Sequence, residues 1–496
     1  MSTDNMPHVP KEKFNFVQLD TSIHDVKFET KPIGYFKDAW LRFRKNKGAV
    51  VAACIIVILM IFAVVVPLVS NYDMNYRDSY YVYTKPKSEL FSFLGWNGTS
   101  KVTVNQQDYD YYMGMTVVND KGETVHEAVV DLYKSYVVED AGRVNNYYDV
   151  KIDTYNTIGY VYKYVTPEEY ARIRAYEEET GNQVIYPMID TSEIKKPSAS
   201  EDANLWFEHD TKGRAKYDEN GNFVNIYLTD ENGDYVYYKS KMNGNQYQIR
   251  VCYYDYYVYY YGFEPCFVFG ADGFGQDILV RLANGARLSF LLAFSVAAIN
   301  FIIGTFYGAI EGYYGGWVDI IMERISDILS GVPFIVTATL FQMHLANRVG
   351  VVGSLIFAFI LTGWLSTSYR VRTQFYRFKG QEYVLAARTL GAKDARIIFH
   401  HILPNSLGTI VTSCILMIPS VIFTESSLAY LNIVDLQTTN FTSVGTLLSN
   451  GQSSLSTYPH CIFWPALFIS LLMISFNMFG NGLRDALNPS LRGADD

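Results

Sequence analysis

Residues Gln381–Asn405 read QEYVLAARTLGAKDARIIFHHILPN, a polar, basic stretch set between two long apolar runs. Ala386, Ala387 and Arg388 are good helix formers and Gly391 is a break. The spacing therefore predicts a helix, a tight turn and a second helix that Pro404 ends. Held at a membrane face by flanking spans, such a module is shaped to be gripped by another protein. On composition alone, an ordinary basic loop is an equal reading.

Outward from this stretch the chain splits sharply by polarity. Several windows are nearly uncharged for about twenty residues, long enough to cross a ~30 Å hydrocarbon core as helices. Six spans are expected, at 48–69, 288–310, 328–345, 351–366, 407–427 and 461–480. The third is interrupted by Pro333, a kink that a bundle tolerates. Before the first span, Ile33–Lys47 (IGYFKDAWLRFRKNK) mixes aromatic rings with Arg42, Arg44, Lys45 and Lys47. That suits an interfacial helix at the end of a cytoplasmic tail, residues 1–47. No small-residue cleavage site follows the span, so it reads as an uncleaved anchor. Counting crossings returns 369–405 to the cytoplasm. There Arg370, Arg372, Arg377, Lys379, Arg388, Lys393 and Arg396 face only Glu382 and Asp394. The C-terminus, with Arg484 and Arg492, is expected on the same side. The whole reads as a multi-pass protein of the cell (plasma or inner) membrane.

Two features narrow the function class. The spans hold no array of acids or histidines of the kind a proton-coupled carrier needs. No GxxxxGK[ST] phosphate loop occurs, so the chain does not hydrolyse ATP through that motif. Gly304, Gly308 and Gly312 recur every four residues and form a small-residue ridge against which a neighbouring helix can pack.

Between the first two spans lies a block, 71–265, with 31 acidic against 19 basic residues and 32 of the chain's 41 tyrosines. It is expected outside, as an α+β domain. Thr166-Pro167-Glu168-Glu169 is a capping box and Gly181 a C-terminal stop, which predicts a helix over 167–180. Asn220-Gly221, Asn232-Gly233 and Asn243-Gly244 predict an antiparallel meander from Lys216 to Tyr261. In that reading the tyrosines from Tyr253 to Tyr261 stand on strands, packing there or meeting a partner. Asp230, Asn232 and Asp234 imitate a calcium loop, but Tyr235 and Lys241 stand where Gly and Glu are required, so no metal is expected. Cys54, Cys414 and Cys461 lie in apolar runs; Cys252 and Cys266 close the block, and a disulfide between them stays open.

The opening stretch resembles the coupling motif of membrane subunits in binding-protein-dependent ATP-binding-cassette importers. That motif reads Glu-Ala-Ala, three residues, Gly, nine residues, Ile-x-Leu-Pro. Ala386, Ala387, Gly391, Leu403 and Pro404 fall at its spacing. Leu385 replaces its Glu and His401 its first Ile, while Glu382 supplies an acid three places earlier, as is usual in the peptide-importer branch. GADGFGQDILVRLANGARLSF, GYYGGWVDIIMERISDIL and WPALFISLLMISFNMFGNGLRDALNP resemble the C-type permease of oligopeptide and dipeptide systems, with Gln276 for the usual Arg and Asn481 for the usual Asp. The resemblance covers about Ile33–Val69 and a permease core over 268–489, not the insertion.

It implies a type I importer fold, all-α in the membrane, and a transport subunit rather than an enzyme, with no cofactor of its own. It also implies a second, B-type permease subunit, two ATP-binding subunits and an extracytoplasmic peptide-binding protein, with no nucleic-acid partner. Glu382, Ala386, Ala387, Gly391, His401, Leu403 and Pro404 are then the residues that contact the ATPase. The basic residues around them would pair with acids there or with anionic lipid. Nickel and glutathione importers share this subunit type. A membrane-anchored receptor or adhesion protein using the insertion is the reading from another class.

Overall fold

Asn46 starts the first membrane-length helix by accepting the Ala49 amide hydrogen at 3.1 Å, which satisfies a donor that every helix leaves unpaired at its start. In this computed structural model, residues 35–140, 143–192, 202–210, 214–219, 223–436 and 441–487 are described. The tail before Tyr35, the Asn220-Gly221 turn and Arg492 lie outside them. A short helix α1 (Tyr35–Lys45) precedes the Asn46 cap and α2 (Lys47–Val69) follows it.

The insertion comes next, as β1 (Thr99–Asn105), α3 (Gln106–Gly114), β2 (Val117–Val118), β3 (Thr124–His126), β4 (Val129–Asp140), β5 (Arg143–Asp153), β6 (Tyr160–Val165), α4 (Pro167–Thr180), β7 (Ile185–Tyr186), β8 (Tyr238–Lys241), β9 (Gln246–Cys252) and α5 (Tyr253–Tyr261). All its ladders are antiparallel: β1-β5-β4, β2-β3, and a sheet in which β9 pairs β6 along one edge and β7 and β8 along the other. The N-cap half of the capping box forms, Thr166 accepting the Glu169 amide, and Gly181 closes α4 in the left-handed region at φ +76°. The expected meander survives only to Cys252. Tyr253–Tyr261 is a helix rather than a strand, because its i, i+4 rings have somewhere to go. Tyr253 and Tyr257 are buried against Tyr72, Tyr81, Tyr155 and Phe267, and Gly262 ends the helix at φ +77°. Cys252 and Cys266 are both free thiols, so the disulfide left open by the sequence is not formed.

The remaining helices are α6 (Ile278–Tyr314), α7 (Gly316–Ser330), α8 (Phe334–Gly363), α9 (Leu365–Phe378), α10 (Glu382–Thr389), α11 (Asp394–Arg396), a π-helical turn at Ile397–Ile402, α12 (Leu403–Tyr430), α13 (Val444–Gln452) and α14 (His460–Leu487). Among the described residues, five helical stretches are long and apolar enough to cross a membrane: Lys47–Val69, Ile278–Tyr314, Phe334–Phe378, Asp394–Tyr430 and His460–Leu487. The 45-residue stretch is folded back on itself. Gly350, at φ +80° and ψ 163°, breaks α8; the Gln342 side chain donates to the Val351 carbonyl at 3.0 Å, and the Phe334 and Phe359 rings stand 4.7 Å apart. On one straight helix those two rings would be about 37 Å apart. Pro333 is not a kink within a span. It precedes Phe334 as the N-cap of α8, where its missing N–H costs nothing.

The helical core gathers Phe290, Ala293 and Val296 of α6, Phe359 of α8, Ile422 of α12 and Leu472 of α14. The insertion is seated on one end of it by aromatic contacts. Trp464 of α14 stacks on Phe269 at 4.1 Å and meets Trp96 edge-on at 4.9 Å, and Tyr83 stacks on Tyr458 at 4.2 Å.

Candidate coupling site

The opposite end of α6 carries the 381–405 segment. Val384, Ile397, Ile398 and Ile402 are buried there with Ala309 and Tyr313 of α6, Val371 and Phe375 of α9, and Ile410 of α12. These four apolar anchors fix the segment, and their neighbours point away. Leu390 is 87% exposed, and Tyr383, Leu385, Ala386 and Phe399 are exposed beside it.

The turn after α10 is a Schellman motif. The Ala392 amide donates to the Ala387 carbonyl at 3.0 Å and the Gly391 amide to the Arg388 carbonyl at 3.0 Å, with Gly391 left-handed at φ +83°. A Cβ on Gly391 meets nothing within 4 Å, so the requirement for glycine is conformational and not steric. Gly391→Val is accordingly expected to cost about 1–2 kcal/mol of local stability. Hydrogen exchange at the Ala392 amide should then accelerate about tenfold, and unchanged exchange would contradict the strain account.

Two polar clamps hold the segment and its base. The Tyr313 hydroxyl donates to Asp394 at 2.5 Å and accepts from Arg388 at 3.2 Å, so it ties both arms of the turn to α6. Beneath it, Arg372 of α9 makes a two-pronged contact with Asp319 at 2.6 and 2.9 Å and reaches Glu323 at 3.3 Å and Glu311 at 3.4 Å. The Arg372 hydrogen bonds hold the Asp319 carboxyl below its usual range. Lys379 donates to the Gly312 carbonyl at 2.9 Å, and burial lowers its pKa. This network, missed in the sequence, joins α6, α7 and α9; Arg372 and Lys379 were visible there only as part of the basic excess of 369–405. An Arg372→Leu variant, which strands Asp319 and Glu311, is expected to lose about 3–5 kcal/mol, read as a lowered thermal midpoint of the detergent-purified chain.

The glycine ridge faces α9. A Cβ at Gly304 would stand 2.7 Å from Thr367 Cβ, at Gly308 2.9 Å from Val371 Cβ, and at Gly312 2.7 Å from Phe375 Cβ. Of the coupling residues named from the sequence, Glu382, Ala386, Gly391 and Pro404 are exposed, and Ala387, His401 and Leu403 are half-buried. Pro404 does not end a helix; it stands in the first turn of α12. The π-helical turn at Ile397–Ile402 widens the backbone just before it, a way for the chain to pass a proline without breaking. One continuous helical arm, Asp394–Tyr430, therefore connects the turn to the core.

A family model described as the binding-protein-dependent transport system inner membrane component matches residues 300–493. A second, the N-terminal TM domain of oligopeptide transport permease C, matches 34–86. The oligopeptide transport system permease protein OppC of Bacillus subtilis (strain 168) is 42% identical over 224 residues, covering 45% of this chain and 72% of that protein. The dipeptide transport system permease protein DppC of the same organism is 40% identical over 225 residues, covering 45% of this chain and 69% of that protein. Among solved structures, a chain of the MetNI methionine ABC transporter in inward-facing form aligns with a TM-score of 0.36 and 15% identity, over 42% of this chain and 96% of that one. The two matched stretches flank residues 87–299, which hold most of the insertion. With a relative at that identity aligned over most of its own length, the chain belongs to the binding-protein-dependent transport permeases, in the oligopeptide and dipeptide permease C branch.

Proposed function

We propose that the chain is one of two permease subunits of an ATP-driven importer of di- and oligopeptides, and that the 381–405 segment couples it to ATP-binding subunits. The observation that carries the coupling role is the exposed ridge of Leu385, Ala386 and Leu390 on a turn whose other side is locked into the helical core. Closure of an ATPase around that ridge would move α10, the Schellman turn and the continuous Asp394–Tyr430 arm as a body, and so rotate the spans. Six crossings are the finer reading, counting the Gly350 hairpin as two. This is the arrangement of a type I importer.

The length of α6 supports an orientation. Val280 packs with the insertion and Ala309 with the coupling segment, about 44 Å apart along one helix, more than the ~30 Å hydrocarbon thickness. That separation supports a reading in which the two stand on opposite sides. The basic excess around Arg388 and Lys393 favours the cytoplasm for the coupling segment and both termini, which leaves the insertion outside. There it stands beside the entrance, where a peptide-binding protein delivers its cargo. Deleting Asp73–Tyr261 with a short linker is expected to impair uptake while ATP-binding subunits still co-purify; unchanged uptake would remove the insertion from delivery.

The test of the substrate class is uptake of labelled peptides. Cells lacking the chain should lose it and regain it with the wild-type gene. Intact peptide uptake with lost nickel or glutathione uptake would select those cargoes instead.

A further inference from the structure

The insertion brings one imidazole against a thiol and a carboxylate that lie more than a hundred residues further along the chain. His126 ends β3, Cys252 ends β9 and caps α5, and Asp255 lies in the first turn of α5. Their ligating atoms all lie within 4.8 Å of one another. His126 Nε2 stands 2.9 Å from one Asp255 oxygen, and the other, Asp255 Oδ2, is buried with no hydrogen-bond partner. Cys252 is 1% exposed, packed with Val117, Tyr160, Tyr186 and Ala203. The Tyr254 ring covers the imidazole at 4.5 Å.

From this geometry we infer a zinc site formed by His126, Cys252 and Asp255, clamping the β2–β3 hairpin to the junction of β9 and α5. Zinc bonds of roughly 2.0–2.3 Å to nitrogen, sulfur and oxygen in tetrahedral array need donors about 3.3–3.8 Å apart, within side-chain adjustment of the spacing present. The donor set excludes the hard cations: calcium and magnesium take shells of oxygen and have no use for a buried thiolate or an imidazole. The charge balances as well. A thiolate and a carboxylate neutralise a divalent ion, which is what a largely buried position demands. On binding, the Cys252 thiol gives up its proton to water and a sulfur–zinc bond takes the place of the sulfur–hydrogen bond. The ion also satisfies Asp255 Oδ2, the one carboxylate oxygen here that the protein leaves unpaired. A water completes the fourth position.

The competing account is a plain His126–Asp255 hydrogen bond beside an inert buried thiol. Purified full-length chain in detergent, stripped with chelator and titrated with cobalt(II), separates the two. The zinc account expects one cobalt per chain, a near-ultraviolet thiolate-to-cobalt charge-transfer band, and its loss when zinc is added. Cys252→Ser should abolish the band, and His126→Gln and Asp255→Asn should weaken binding at least tenfold. Cys252→Ala, which keeps a small apolar side chain, and His126→Gln, at a partly exposed position, serve as variants whose fold is checked by circular dichroism. No band in the folded wild-type chain, a band that survives Cys252→Ser, or undiminished metal retention by His126→Gln would each overturn the site.

Discussion

Gly308→Leu is expected to abolish assembly of the permease, and with it all transport. A Cβ at this position runs into the Ser368 carbonyl oxygen and stands 2.9 Å from Val371 Cβ. The first obstacle is backbone, which cannot swing aside as a side chain does. Overpacking a tight contact costs about 1–3 kcal/mol and occasionally more, and a blocked backbone puts this case at the upper end. In lipid the effect is sharper, because helices there are held by close packing and polar contacts with no hydrophobic drive to re-associate them. Displacing α9 from α6 also pulls Arg372 away from Glu311 and Asp319. The expected reading is a chain found in aggregates or degraded, with no complex recovered. Gly380→Ala is the matched control, since a Cβ there meets nothing within 4 Å, and it should behave as wild type. Normal yield of Gly308→Leu would refute the packing derived for α6 and α9.

The second large effect separates docking from folding. Leu390 is 87% and Leu385 48% exposed, so changing both to Asp should alter the subunit's own stability by about 0.5 kcal/mol or less each. If these side chains fill a cleft on the ATPase, they behave as interface anchors, whose loss costs about 2 kcal/mol or more, or roughly 30-fold in affinity. The Leu385→Asp, Leu390→Asp variant is therefore expected to insert and fold normally yet fail to import. A variant that imports at the wild-type rate would make the exposed ridge incidental.

How far the sequence could be read depended on how local each cause was. The helix Pro167–Thr180 was legible because its start, Thr166 and Glu169, and its stop, Gly181, lie within one segment. Glycine at every fourth position is legible as a ridge, but not its partner α9, more than fifty residues later. Tyr253–Tyr261 misled because tyrosine suits a strand and a buried helix face alike, and the choice was made by Tyr72, Tyr81 and Phe267 from other parts of the chain. Pro404 misled for a different reason. A proline costs a helix a backbone hydrogen bond without always ending it, and no local pattern announces the π-helical turn at Ile397–Ile402 that precedes this one. In the coupling segment the spacing of Ala386, Ala387 and Gly391 was readable. The clamp of Tyr313 on Arg388 and Asp394 was not, since it depends on α6 arriving from about 75 residues earlier.

If the 381–405 segment is where the permease meets its energy source, loss of its exposed ridge should separate the two. The most direct measurement is co-purification of ATP-binding subunits with the tagged chain from native membranes, wild type against Leu385→Asp, Leu390→Asp. The account predicts that wild type brings down both the second permease and the ATP-binding subunits, while the variant keeps the permease and loses the ATPase. Equal recovery of ATP-binding subunits by the two, with the variant folded, would contradict it.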